Sequence, residues 1–209
     1  MSLSLDNDVV KKLGIYELLE KLADAFDCTA ESCYVLPTLR FQLRLGDVAK
    51  ATARLGSATA VQQVQTFIAR AKEIGNISPE AANSVLSLEV EGLDPGEKTL
   101  LAWLMTELSH KLLTGDKRAI CALGTLPDDS PIRSQRARIR CFEAVMISLL
   151  NKEGFGCVSA AVRAKPDADI SLRLAFGNSH TADEPTVRSG LASYINDLVT
   201  QSNNFYVAA

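Results

Sequence analysis

Residues 111–123 read KLLTGDKRAICAL, and this stretch decides the fold. The apolar run 111–113 is too short for a helix and suits a buried strand; Thr114-Gly115 turns the chain, and a helix is predicted from Asp116 to Leu123. A short strand passing straight into a helix is the building unit of a parallel sheet with helices on its faces. Working outward, residues 2–5 (SLSL) and 33–36 (CYVL, stopped by Pro37) are predicted as two further strands, and residues 155–162 as a fourth. Helical spacing of apolar residues is predicted over 9–26, 38–55 with an interruption near Gly46, 58–74, 78–90, 94–109, 130–152, 168–176 and 184–201. The expected class is therefore α/β, a three-layer α/β/α sandwich with a short central parallel sheet and a helical C-terminal extension, in a single domain over residues 1–209.

Composition narrows the function. The chain has 209 residues, 47% hydrophobic and 22% charged, as in an ordinary globular domain. No apolar run approaches the roughly 20 residues of a membrane span, and residues 1–12 lack the basic-then-apolar build of a signal peptide, so a cytoplasmic protein without membrane contact is expected. Five scattered cysteines, odd in number and without a C-x-x-C pair, read as reduced thiols. His110 and His180 are the two histidines, too few for a histidine-rich metal site or a His-based triad. Net charge is −3, so nucleic acid would have to meet a local basic patch.

The chemistry then falls to acids placed where strands end, because open parallel sheets bind ligands at their carboxyl edge. Asp6 and Asp8 follow the first strand, and either could equally cap the next helix. Asp94-Pro95-Gly96-Glu97 has the form of a capping box with proline at the first helical position. Asp116 follows the strand at 111–113, with the Thr114 hydroxyl beside it. Asp167 and Asp169 open the helix near 168–176, where negative charge suits the helix dipole. Each acid has a structural reading of its own. Were they to converge, two carboxylates 4 Å apart would repel by about 4 kcal/mol at an effective dielectric of 20, so their pKa values would rise or a cation would sit between them. Oxygen ligands alone suit Mg²⁺ or Mn²⁺.

Order and wording of these segments resemble the PIN-domain family of metal-dependent nucleases. LSLDNDVV is similar to that family's opening strand and first acid, GLDPGEKTLLAWL to the segment bringing its second, and KLLTGDKRAICAL to the strand–turn–helix bringing its third. The likeness covers residues 1–125 best; residues 130–209 would be an extension completing the domain, with DISLRLAF resembling the region of a late acid. Asp8 stands where the family usually has Asn, and the stretch between the first two acids carries extra helices. The resemblance implies a PIN-like sandwich in which Asp6, Glu97, Asp116 and Asp169 are catalytic and, with Asp8, hold Mg²⁺ or Mn²⁺ for phosphodiester hydrolysis, with water as the nucleophile and Thr114 in support. RNA is the expected substrate because the family leans that way. The further partner expectations are an inhibitory protein, as for toxin-type ribonucleases of the family, and a second copy of the chain.

For nucleic-acid binding, Arg133, Arg136 and Arg140 would share a helical face through i, i+3 and i+7 spacing. Lys117 and Arg118 would lie beside the scissile phosphate, with Arg40 and Arg173 as further candidates. Aromatics are sparse and Trp103 reads as core, so backbone contact is expected rather than base stacking. Two rivals remain open. Asp6-Asn7-Asp8 satisfies the D-x-D of haloacid-dehalogenase-like phosphohydrolases, in which Asp6 would be the nucleophile. A catalytically inactive PIN-like binding module also fits the acidic pI.

Overall fold

A computed structural model of the chain describes residues 1–86, 88, 90–106, 108–177 and 182–208. His180 and part of the helix expected over 78–90 lie outside them. The N-terminal half runs β1 (Ser2–Leu5), α1 (Asn7–Ile15), α2 (Leu22–Ala25), β2 (Cys33–Val35), α3 (Leu39–Gln42), α4 (Val48–Leu55), α5 (Ala58–Arg70) and β3 (Lys72–Glu73). It continues through α6 (Pro79–Leu86), α7 (Pro95–Thr106), β4 (His110–Thr114) and α8 (Lys117–Leu123). The C-terminal half adds β5 (Ile139–Cys141), α9 (Phe142–Glu153), α10 (Phe155–Ala164), α11 (Ile170–Phe176) and α12 (Glu184–Gln201). The α/β class is as the sequence implies: five strands, all parallel, with helices on both faces.

The strands lie in the order β3-β2-β1-β4-β5. From β1 the chain builds outward through β2 to β3, then returns to place β4 on the other side of β1. The carboxyl ends of β1 and β4 therefore flank the point where the winding reverses, and such a switch point opens a crevice in doubly wound sheets. Both faces of the central strands are buried, and successive side chains alternate between two apolar layers, which pins the register. Leu3 and Leu5 pair with Cys33 and Val35 and enter one apolar cluster with Leu113, whereas Leu112, Ile139 and Cys141 enter a second. The first cluster takes the apolar sides of α1, α4, α5, α9 and α10; the second takes α7, α8 and the C-terminal Phe205 and Tyr206. Among the described residues no helix is long and apolar enough to cross a membrane.

Several local expectations are corrected. Residues 155–162 are helical in α10, not a strand: Val158, Ser159 and Val162 are the buried positions, a helical spacing. The long helix expected over 130–152 does not form as one piece. Pro131–Arg138 is a 3₁₀ turn, and Ile139–Cys141 is recruited as β5 by backbone pairing to β4. The interruption expected near Gly46 within 38–55 is present: α3 and α4 are separated by residues 43–47, where Arg44 at φ 57° takes a left-handed conformation that ends the first helix. The two-residue edge strand β3, both residues exposed, carries no apolar signal to predict it.

Candidate functional site

Four of the five strands deliver a polar residue to one cleft of about 930 Å³: Asp6 after β1, Thr38 after β2, Asp116 after β4 and Glu143 after β5. Asp8, Glu97 and Asp169 line the same cleft, so every acid singled out from the sequence is brought to it. In all, eight carboxylates line it against the three cations Lys12, Lys117 and Arg118. That excess of negative charge is the site's main electrostatic property.

Asp6 occupies the N-cap position of α1, where its carboxylate leans on the N–H groups of Asn7 and Asp8 without closing a well-formed capping hydrogen bond. Thr114 Oγ1 instead donates to Asp6 Oδ2 at 3.0 Å and accepts from the Asp116 amide at 3.1 Å, so one hydroxyl ties the ends of β1 and β4 together. Burial pushes the Asp6 carboxyl above its ordinary range, and the charge of Asp8 adds to this. The Thr114 hydroxyl and the N–H groups of Asp8 and Asn7 oppose the rise without cancelling it. Gly115 leaves room beside them: a Cβ there would displace the Asp8 carboxylate from its present position.

Glu97 forms the expected capping box with Asp94, each side chain accepting the other's amide, at 2.7 and 2.8 Å. Its carboxyl is nonetheless pushed up to about 7, by burial first and then by the carboxylates of Asp94, Asp116 and Asp6, against the Asp94 N–H. Asp116 is the N-cap of α8, accepting from the amides of Arg118 (2.8 Å) and Ala119 (3.2 Å). Burial alone would raise it, but the Arg118 guanidinium at 3.2 Å and those two amides outweigh burial and hold it below its ordinary range.

Asp8 and Asp169 are in a different state. Lys12 sits between them, 2.7 Å from Asp8 and 2.8 Å from Asp169, with its ammonium over the Phe142 ring. Burial disfavours the Lys12 charge, but the two carboxylates raise its pKa past that effect. Asp169 also caps α11 through the Leu172 amide at 2.9 Å. Here the cation between converging carboxylates is the protein's own.

Sequence reasoning missed Lys12 and Glu143. Glu143 is only 2% exposed, pairs with Lys117 at 2.5 Å, and leaves its Oε2 buried with no hydrogen-bond partner. Its signal was the position two residues beyond a strand, the same offset as Asp116 from β4, but the strand itself was not legible. Lys117 is thus turned inward, with Ser171 at 3.5 Å and the Tyr194 ring beneath it, while the Arg118 side chain is 91% exposed at the rim. The arginines of 133–140 do not make the expected stripe. Arg133 is held by the carbonyls of Gly124 and Leu126 and by Asp128, and Arg140 lies in β5 bonded to the Ala137 and Ile139 carbonyls; Arg136 alone of the three is exposed. Arg40 is on the surface near Glu73, and Arg173 pairs with Asp167 at the edge of the cleft; neither lines the cleft itself.

The donor set fits a hard divalent cation. It is all oxygen, it carries excess negative charge, and Glu143 Oε2 is a buried carboxylate oxygen in want of a partner. Among the described residues no three His, Cys, Asp or Glu side chains are already gathered as a metal-holding group. No family model, curated protein or solved structure matches the chain, so the functional reading rests on this geometry.

Proposed function

We propose that the chain is a divalent-metal-dependent phosphodiester hydrolase, a nuclease of the PIN-like type acting on RNA in preference to DNA. The observation that carries this reading is that Asp6, Glu97 and Asp116, remote in sequence, line one cleft at the β1/β4 switch point, where the charges of Asp6 and Asp116 add to burial in lifting Glu97 to about 7. Asp6, Glu97, Asp116 and Glu143 are the residues that would hold Mg²⁺ or Mn²⁺. A divalent ion there would supply Lewis-acid chemistry, neutralising charge at the phosphate and activating water.

The remaining roles belong to the chain itself. The Thr114 hydroxyl fixes the Asp6 carboxylate and the start of α8 in one arrangement. Arg118, exposed beside Asp116, is placed to meet a phosphate entering from solvent. Lys12 neutralises Asp8 and Asp169, so those two acids shape the wall and hold an ammonium toward the cleft. Without the ion Glu97 titrates near neutrality, so binding a divalent cation there would be coupled to release of its proton. One observation favours the binding-module alternative: Glu97, Asp116 and Asp169 are all already engaged in helix caps.

The test compares cleavage of end-labelled single-stranded RNA and DNA in EDTA, Mg²⁺ and Mn²⁺, with Asp6→Asn as the control. Cleavage that needs the ion and is lost in Asp6→Asn is expected. Cleavage indifferent to EDTA would overturn the reading, an acid-stable phosphate on Asp6 would replace it with the phosphohydrolase, and calorimetry showing no Mn²⁺ binding would favour the binding module.

A further inference from the structure

Next to the acid cleft the surface changes sign. Leu39, Leu43 and Leu45 of the α3 region turn into the core, and Phe41, on the opposite side of α3 from Leu39 and Leu43, points outward, 79% exposed. A single exposed aromatic is ordinary by itself; what distinguishes Phe41 is the charge around it. Phe41 stands between two hollows, of about 550 and 500 Å³, and Arg44 borders both. Lys11 and Arg54 complete the first, and none of Lys11, Arg44 and Arg54 has an acidic partner among the described residues. The one acid in that hollow, Asp8, is already bound to Lys12. In a chain of net charge −3 this is a local, uncompensated positive field. The first hollow shares Asn7, Asp8 and Gln42 with the acid cleft, so the two form a continuous path.

We infer that this shelf binds single-stranded nucleic acid, with an unpaired base stacked on Phe41 and the flanking phosphates held by Lys11, Arg44 and Arg54. Cations that track a backbone beside an exposed aromatic face are what a single strand needs. A duplex keeps its bases stacked on one another and offers the ring no partner. An acidic peptide would satisfy the cations but leave the ring uncovered. The inference extends the nuclease reading by naming the form of its substrate, yet the binding itself requires no ion.

Binding is therefore measured in EDTA, by fluorescence anisotropy of a labelled 12-nucleotide unstructured RNA, the DNA of the same sequence, their duplexes and a poly-glutamate peptide. Single strands are expected to bind at least about tenfold more tightly than duplexes, with the RNA and DNA arms showing which polynucleotide the shelf prefers. Phe41→Ala is expected to weaken single-strand binding about tenfold without lowering Tm. Arg54→Gln and Arg44→Asn (asparagine tolerating the left-handed turn) should each reduce the slope of log affinity against log salt by about 0.7. Equal affinity for duplex, no effect of Phe41→Ala, or a peptide that binds as tightly and is equally sensitive to Phe41→Ala would overturn the inference. Strands that bind through Phe41 but are never cut in Mg²⁺ or Mn²⁺ would leave the shelf standing and remove the nuclease. Ion-dependent cleavage indifferent to Phe41→Ala in both binding and KM would do the reverse.

Discussion

The two walls of the acid cleft use the same residue types in opposite electrostatic states. On one wall Asp8 and Asp169 share the Lys12 ammonium, and α11 is tied to α1 through it. On the other, Asp6, Glu97 and Asp116 face one another with a hydroxyl, backbone amides and one rim guanidinium for relief, and two of the three carboxyls are pushed upward. A compensated group of carboxylates is a structural joint; an uncompensated one is poised for a cation. The difference is made by a single lysine placed one helical turn after Asp8.

The largest expected effect lies on the uncompensated wall. Asp6→Asn keeps the shape and the Thr114 contact but removes the charge, and should lower ion-dependent cleavage to about a thousandth or less, about 4 kcal/mol of transition-state stabilisation. Its urea midpoint should be unchanged or higher in EDTA. Retained cleavage would remove Asp6 from the site and with it the contrast between the walls. On the compensated wall the order reverses. Lys12→Met leaves Asp8 and Asp169 facing each other without their cation and should cost about 2–3 kcal/mol of stability, short of the 3–5 of a fully buried pair because Asp8 is partly exposed. Urea unfolding reads this directly, and a loss under about 0.5 kcal/mol would show that Lys12 is no joint.

How much of this was legible depends on what each signal needed. The buried runs of β1, β2 and β4 and the acids following two of them could be read locally, because strand, turn and helix start lie within a dozen residues. The capping box at Asp94 and Glu97 was equally local. β5 was not, because Ile139–Cys141 becomes a strand through pairing to β4 rather than through any propensity of Ile-Arg-Cys, and Glu143 was hidden with it. Lys12 had an evident i, i+4 partner in Asp8, but its second partner, Asp169, lies at the far end of the chain. The exposure of Phe41 follows from the helical period itself, since position 41 lies opposite the buried Leu39 and Leu43, but a period says which side faces out and not what would cover it.

The pH dependence sharpens the contrast further. Glu97, held at about 7 in the fold against an ordinary 4.5, binds a proton in the native state that the unfolded chain has released between those values. The native state then carries the extra proton, so stability falls as pH rises through that window. The raised Asp6 carboxyl acts in the same direction at its lower edge, while the lowered Asp116 contributes stability that is lost only as pH falls below its ordinary 3.8. In EDTA, Tm should drop by a few degrees between pH 5 and pH 8. Glu97→Gln keeps the capping box and should flatten that slope; an unchanged slope would show that Glu97 does not feel its neighbours.

The smallest effect compares one residue type in one structural role on the two walls. Asp116 and Asp169 each cap a helix with Oδ1, and asparagine caps as well as aspartate, so Asp→Asn removes charge and little else. At Asp116 the loss includes an exposed pair with Arg118, worth about 0–1 kcal/mol, offset by relief of repulsion from Glu97 and Asp6. Stability should move by no more than about 0.5 kcal/mol. At Asp169 the same change leaves Lys12 with one carboxylate instead of two in a half-buried setting, and should cost about 1–2 kcal/mol. Equal effects at the two positions in urea unfolding would mean that the walls do not differ in charge compensation, and that the placement of Lys12 does not separate joint from site.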